Sequence, residues 1–266
     1  QNLSVDALAD IYENTLVTEQ VRRKLGTHST PTSVARYVVS RLINEQSMSD
    51  TLQVVEPCAG HAIFLVAALE RLRDLLPSQL SPQERHRFFI RTLHGFEQDA
   101  FALEIGKLCL MLADFPFPDG WHLVSADVFA SPKFESALKR SDIVLCNPPF
   151  EDFPEGERQL YPDRRSVQKP AELLHRVLDQ LKPSGTLGFV LPRQFIDGRA
   201  YRDVRRRLAD KYEFIEIVSL PDGIFHVSQI ETCLLIGRMP STRHAQVNLS
   251  FSNVSEADAD RFLQDF

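Results

Sequence analysis

Residues 141–150 read Ser141-Asp142-Ile143-Val144-Leu145-Cys146-Asn147-Pro148-Pro149-Phe150, and the proline pair constrains the fold more than any other feature of the chain. The β-branched, apolar run before it predicts a buried strand. Pro148 and Pro149 have no N–H to donate and hold φ near about −65°, so the strand cannot continue past Cys146. A rigid turn follows, presenting an amide, a bare carbonyl and an aromatic ring together. Open α/β sheets place their ligands at such carboxyl ends of strands. A purely structural Asn-Pro turn also accounts for these ten residues, so the stretches upstream decide between the two.

Leu52-Gln53-Val54-Val55 predicts a short strand, followed by Glu56-Pro57-Cys58-Ala59-Gly60-His61-Ala62-Ile63-Phe64-Leu65 and a helix to about Leu76. An acidic strand end, a loop of small residues and a helix start make half of a nucleotide-binding βαβ unit. Small side chains let a ligand reach the backbone, and the first helical N–H groups face it. No lysine follows the loop, which argues against a phosphate-cradling P-loop. A ligand with a charged amino-acid part and no phosphates suits it better. Thr92-Leu93-His94-Gly95-Phe96 predicts the second strand, ending in Glu97, whose carboxylate is placed to accept hydrogen bonds from ribose hydroxyls. A helix spans about Asp99 to Ala113, and Asp99 fits the role of a charge complementing that helix's dipole. His122-Leu123-Val124 predicts a third strand, ending in Ser125-Ala126-Asp127-Val128-Phe129. With the strand that leads to Asn147, four strand ends converge, and three of them carry Glu56, Glu97 and Asp127.

Before these strands, residues 3–25 predict an amphipathic helix, with Leu8, Ile11, Tyr12, Leu16, Val17 and Val21 at helical spacing. Gly26 ends it. Thr30-Pro31 then predicts a helix start, Thr30 as N-cap and Pro31 at the first helical position, and a plain cap explains the pair as well. After Phe150, residues 151–168 are rich in charge and proline and lack periodicity, which predicts a mobile, functional loop rather than a packed element. A short helix over 83–91, helices from about Pro170 to Leu181 and Ala200 to Asp210, and a strand over Thr186–Leu191 complete the alternation. Arg202, Arg205, Arg206 and Arg207 lie on the Ala200 helix, as a solvated face or a phosphate-contacting patch. Phe214–Leu220 and Glu231–Arg238 predict two more strands joined by Pro221-Asp222-Gly223-Ile224-Phe225. A strand-like Gln246–Phe251 and a short acidic helix follow.

At 266 residues and 43% hydrophobic content, the chain suffices for one large core and one α/β domain with additions. No window approaches the roughly 18 uninterrupted apolar residues of a membrane helix, so no membrane partner is expected. Cys58, Cys109, Cys146 and Cys233 lack CxxC or Cys/His spacing and read as buried thiols in a reducing cytoplasm, with no metal expected. The net charge of −6 is unfavourable for gripping nucleic acid, so such a partner requires a local basic face or a separate domain.

Taken together, residues 20–240 resemble the N6-adenine amino-methyltransferases of DNA, such as the modification subunits of restriction-modification enzymes. Asn147-Pro148-Pro149-Phe150 is similar to that family's catalytic tetrapeptide, and Glu56 to Phe64 to its S-adenosylmethionine loop. Gly95-Phe96-Glu97 resembles the ribose-binding strand end, and Asp127-Val128-Phe129 the part that recognises the cofactor's adenine. Thr30-Pro31 falls where the family has a Thr-Pro helix start touching the methionine moiety. Phe225 falls where some members hold a second aromatic against the target base, beside Phe150. The sequence departs from the pattern at Ala62, where a second glycine is usual and the methyl is expected to crowd the cofactor.

The resemblance implies a Rossmann-like, S-adenosylmethionine-dependent methyltransferase fold of the α/β class. Its sheet is expected to be mostly parallel and seven-stranded, with helices on both faces. The expected organisation is an N-terminal helical segment over 1–50, a catalytic domain over 51–252, and the start of a following segment over 253–266. It implies S-adenosyl-L-methionine as cofactor, held by Thr30, Pro31, Glu56, Pro57, Cys58, Ala59, Gly60, His61, Phe64, Glu97, Asp127, Val128, Phe129 and Asn147. Catalysis would rest on Asn147, Pro148, Pro149 and Phe150, acting on an adenine flipped from duplex DNA in the bacterial or archaeal cytoplasm. A target-recognition domain or specificity subunit is expected to supply sequence choice. A methyltransferase for protein glutamine or RNA needs the same two acceptors, though the glutamine enzymes usually end the tetrapeptide in Tyr. A non-catalytic cofactor-binding subunit stays open as well.

Overall fold

The computed structural model describes residues 30–222, 224–225, 231–240 and 247–266. The helix expected over 3–25 lies outside them. Eight strands are present among these residues: β1 (Val54–Pro57), β2 (Leu93–Glu97), β3 (His122–Ser125), β4 (Ile143–Cys146), β5 (Thr186–Pro192), β6 (Tyr212–Leu220), β7 (Thr232–Pro240) and β8 (Asn248–Asn253). They form one sheet in the order β3-β2-β1-β4-β5-β7-β6-β8. Every pairing is parallel except those of β7 with β5 and β6, so the sheet is mostly parallel as expected. It has one strand more than the seven expected, because β8 adds to the edge parallel to β6.

Continuous apolar runs such as Ile143-Val144-Leu145-Cys146 require burial on both faces of a sheet, and β4 is buried along its whole length. Alternation splits these residues between two layers. Val54, Ile143 and Leu145 join the first layer, with α1 (Thr32–Leu42), α2 (Ile63–Leu75), α3 (Pro82–Thr92) and α4 (Ala100–Ala113). Val55, Val144 and Cys146 join the second, with α5 (Pro132–Leu138), α6 (Lys169–Gln180) and α7 (Arg202–Lys211). A last helix, α8 (Ala259–Asp265), lies on α1, where the ring of Phe262 packs 5.3 Å from that of Tyr37.

The chain runs outward from β1 to β2 and β3, returns to lay β4 against the other side of β1, and continues outward to β5. The order therefore reverses between β1 and β4. Crevices at such switch points, beyond the carboxyl ends of the strands, are where open α/β sheets bind ligands. The connection leaving β1 carries Cys58 to Ala62, between Glu56 on the strand and Phe64 on α2, and the loop leaving β4 carries Asn147 to Phe150.

Two local expectations are corrected, and a third holds in part. Pro31 stands at the N-cap of α1 rather than at its first helical position, and no side chain caps that helix. Residues 151–168 are mostly exposed yet anchored rather than unattached: a β-bridge joins Asp152 to Gln168, and Phe153 and Tyr161 are buried. Of the arginines of α7, Arg202 and Arg206 are exposed, as a solvated face requires, whereas Arg205 and Arg207 are engaged within the protein. Arg205 donates to the carbonyls of Phe195 and Gly198, and Arg207 to Asp179 and the ring of His175.

Candidate active site

The β1–α2 loop is built on left-handed residues. Cys58, Gly60 and Ala62 have φ of 55°, 53° and 64°. A non-glycine residue in this region costs about 1–2 kcal/mol, and such strain concentrates where the chain contacts ligands. At Gly60 a side chain would meet nothing within 4 Å, so the space over this backbone is open. Ala62 is fully buried, and its methyl lies 3.3 Å from where a side chain on Gly106 of α4 would begin. The absence of that side chain on α4 gives the methyl its room, so it packs toward the helix.

Alanine at the N-cap of α2 has no side chain with which to cap, and Glu56 supplies the acceptor from β1. Its Oε2 accepts the N–H of Leu65 at 3.1 Å, inside the first turn of α2, where the helix dipole favours negative charge. The carboxylate is only 2% exposed, and burial pushes its pKa well above the usual carboxylate range. Glu97, at the end of β2, accepts the N–H of Gly60 on Oε2 at 2.7 Å and that of Asp99 on Oε1 at 2.8 Å. Burial raises its pKa too, against the pull of these amides. Backbone bonds continue the stitching: Ala59 N–H donates to the Phe96 carbonyl at 2.8 Å and Ala126 N–H to the Glu97 carbonyl at 2.9 Å. Three strand ends are thus held side by side.

Beyond β3, Asp127 accepts the N–H of Phe129 at 2.9 Å and the hydroxyl of Tyr161 at 2.7 Å. Beyond β4, Asn147 Nδ2 donates to Oγ1 of Thr30 at 2.9 Å. The Thr30 hydroxyl therefore serves the Asn-Pro-Pro-Phe turn across 117 positions of sequence instead of capping α1. Pro148 is buried, whereas Pro149 and Phe150 are partly exposed. Phe150 packs on the first apolar layer, to which Phe225, 5% exposed, also belongs.

Not every expected residue offers its side chain to the crevice. Phe64 is fully buried in α2, and Val128 and Phe129 are buried in the second layer. His61 is buried, and desolvation lowers its pKa to about 4, so it is neutral at physiological pH. None of the four cysteines is in a disulfide; Cys58, in the left-handed loop, is half-buried instead of buried. Two residues escaped the sequence reading: Tyr161, on Asp127, and Glu172, whose carboxylate accepts the N–H groups of Arg165 and Ser166. Both belong to or hold the aperiodic segment 151–168, where no spacing signals a partner. Among the described residues, no helix is long and apolar enough to cross a membrane.

The crevice thus brings together an open backbone loop, carboxylates at adjacent strand ends, and an anchored amide followed by a bare carbonyl and an aromatic ring. The sequence matches the family described as N-6 DNA Methylase over residues 3–260. It is similar to the Type I restriction enzyme EcoEI methylase subunit of Escherichia coli, 24% identical over 220 residues, covering 82% of this chain and 43% of that one. It is also similar to the Type II methyltransferase M.BanIII of Aneurinibacillus aneurinilyticus, 24% identical, covering 76% of this chain and 36% of that one. Among solved structures, a nuclease-deletion mutant of the Type ISP restriction-modification enzyme LlaGI in complex with a DNA substrate mimic superposes with a TM-score of 0.76. That match is 14% identical and covers 98% of this chain and 30% of that one. The type I restriction-modification system methyltransferase subunit from Streptococcus thermophilus superposes with a TM-score of 0.67 at 16% identity, covering 99% of this chain and 57% of that one. These structures share the fold. The chain spans less than half the length of the curated relatives it matches.

Proposed function

Because this chain belongs to the N-6 DNA methylase family, we propose that it methylates the exocyclic N6 amine of adenine in DNA within a restriction-modification system. The observation that supports this most is the amide of Asn147, anchored by Thr30 at the switch point between β1 and β4, beside the open loop at Gly60. S-adenosyl-L-methionine would supply an activated methyl group. The residues present suit it: open space over Gly60 admits it to the backbone, and Glu97 and Asp127 offer carboxylates to its ribose hydroxyls and adenine amine.

The amine of adenine is a poor nucleophile because its lone pair is delocalised into the ring. The Asn147 side-chain oxygen and the Pro148 carbonyl can accept both amine hydrogens, drawing the nitrogen toward tetrahedral geometry and freeing its lone pair from the ring. The two prolines hold these acceptors in place before the base arrives, so positioning and electrostatics carry the rate. Phe150 offers a partly exposed ring on which an extruded base can stack, worth roughly 1–3 kcal/mol against an unstacking cost of a few kcal/mol. The net charge of −6 suits an arrangement in which a specificity subunit or recognition domain makes most phosphate contacts.

The test follows methyl transfer from labelled cofactor to DNA, RNA and protein side by side, using the complete enzyme. Transfer to adenine in DNA is expected. Asn147→Ala should lower turnover far more than it lowers cofactor affinity, whereas Phe150→Ala should be partly rescued by a mismatch opposite the target adenine. Transfer to protein or RNA alone would overturn the substrate assignment, and cofactor binding without any transfer would leave a binding subunit.

A further inference from the structure

Tyr161 lies within an aperiodic segment, outside every motif, yet its side chain is almost wholly enclosed, at 8% exposure. Its ring packs at 5.9 Å from Phe129 and 4.9 Å from Phe153, and these two rings are themselves 4.8 Å apart. The segment that carries it is tied at both ends. At the neck, Phe153 N–H donates to the Val167 carbonyl at 2.8 Å, Lys169 N–H to the Glu151 carbonyl at 3.0 Å, and the side chains of Lys169 and Glu151 form an ion pair. Past Tyr161, the N–H groups of Arg165 and Ser166 donate to Glu172 Oε2 at 2.7 and 3.1 Å, and Arg176 Nε donates to Oε1 at 2.8 Å. Glu172 is itself buried on α6.

The hydroxyl so placed donates to Asp127 Oδ2 at 2.7 Å, while the Phe129 N–H donates to Oδ1 at 2.9 Å. One donor on each oxygen sets both the rotamer and the plane of the carboxylate. Burial and the neighbouring Asp127 charge raise the phenol's pKa, so it stays protonated and remains a donor. An ionised carboxylate has about four lone-pair sites, so capacity remains on each oxygen for a donor from a ligand. A carboxylate accepts and cannot donate, which selects an amine over a carbonyl at the matching position of a purine.

We infer that Tyr161 is a positioning residue for the cofactor's adenine: it holds the Asp127 carboxylate in the orientation that accepts the 6-amino group. The inference rests on the cofactor reading given above. Without the hydroxyl, the carboxylate keeps one of its two constraints and can turn about its terminal torsion. The selectivity for the amine falls, while contacts to the rest of the cofactor are unaffected.

Calorimetry on this chain with S-adenosylhomocysteine, and with its analogue carrying hydrogen in place of the 6-amino group, isolates that selectivity. The wild type is expected to prefer the amine by roughly tenfold or more, the scale of one charge-assisted hydrogen bond. Tyr161→Phe keeps the ring packing and should lower this preference at least about threefold, with affinity for the deamino analogue almost unchanged. Should that variant fail to fold, Glu172→Gln, which loosens the segment from the far side, reads the same ratio. Loss of affinity for both ligands alike would mean a merely structural tyrosine and would overturn the inference. So would an unchanged preference, or a raised one, which would make the hydroxyl a competitor for Asp127. Absence of any binding by the wild type would overturn the cofactor reading and this inference with it.

Discussion

Replacing Thr30 by valine removes one hydroxyl at nearly constant shape, and tests whether the Asn147 amide is held from α1 or only by its own turn. Thr30 is 5% exposed, and its Oγ1 accepts from Asn147 Nδ2 at 2.9 Å. Taking an acceptor from a fully buried donor costs about 1–3 kcal/mol, and this part-buried one falls in the lower half of that range. The added methyl recovers about 0.8 kcal/mol of burial. The expected result is a loss of up to about 1 kcal/mol. Thr30→Ser loses a methyl worth a similar amount but keeps the acceptor, so single variants alone cannot distinguish the two effects. A double-mutant cycle can. Urea unfolding of wild type, Thr30→Val, Asn147→Ala and the double variant, followed by circular dichroism and by the fluorescence of the single tryptophan, Trp121, should give a coupling of about 1 kcal/mol. The cycle with Thr30→Ser should give much less. Additivity within about 0.3 kcal/mol would show that the two side chains do not support one another and would refute the anchoring argument.

Two further outcomes are expected. Burial holds the Glu97 carboxyl above its ordinary value of 4.5, so the folded protein binds this proton more tightly than the unfolded chain does. The stability it contributes is fully present below pH 4.5 and is lost as pH rises through the folded value; Glu97→Gln should flatten this slope in urea unfolding between about pH 4 and 7, and parallel slopes would contradict it. Glu172→Ala removes the acceptor for Arg165 N–H, Ser166 N–H and Arg176 Nε, so trypsin should cleave after Arg158, Arg164 or Arg165 about tenfold faster, with global unfolding shifted much less. Equal cleavage rates would show that the segment is held by its buried aromatic rings alone.

Much of this protein follows from local chemistry. Pro148 and Pro149 end β4 because a residue without an N–H and with fixed φ can do nothing else there. The apolar runs at Val54–Val55 and Ile143–Cys146 demand a strand covered on both faces, and acidic residues at successive strand ends place carboxylates around one crevice. These signals depend on neighbours within a few residues, so spacing alone carries them. Tertiary structure decided what each polar group touches. The Glu56 carboxylate reaches the amides of α2 because Ala62 cannot cap it, and the Ala62 methyl turns to α4 because residue 106 is glycine. β8, exposed along its length, joins the sheet only because β6 leaves an edge in parallel register for it. Thr30 meets Asn147 across 117 positions, and Tyr161 meets Asp127 across 34. A hydroxyl donates to or accepts from whatever polar group the packing brings within about 3 Å, and no periodicity of the chain encodes that approach.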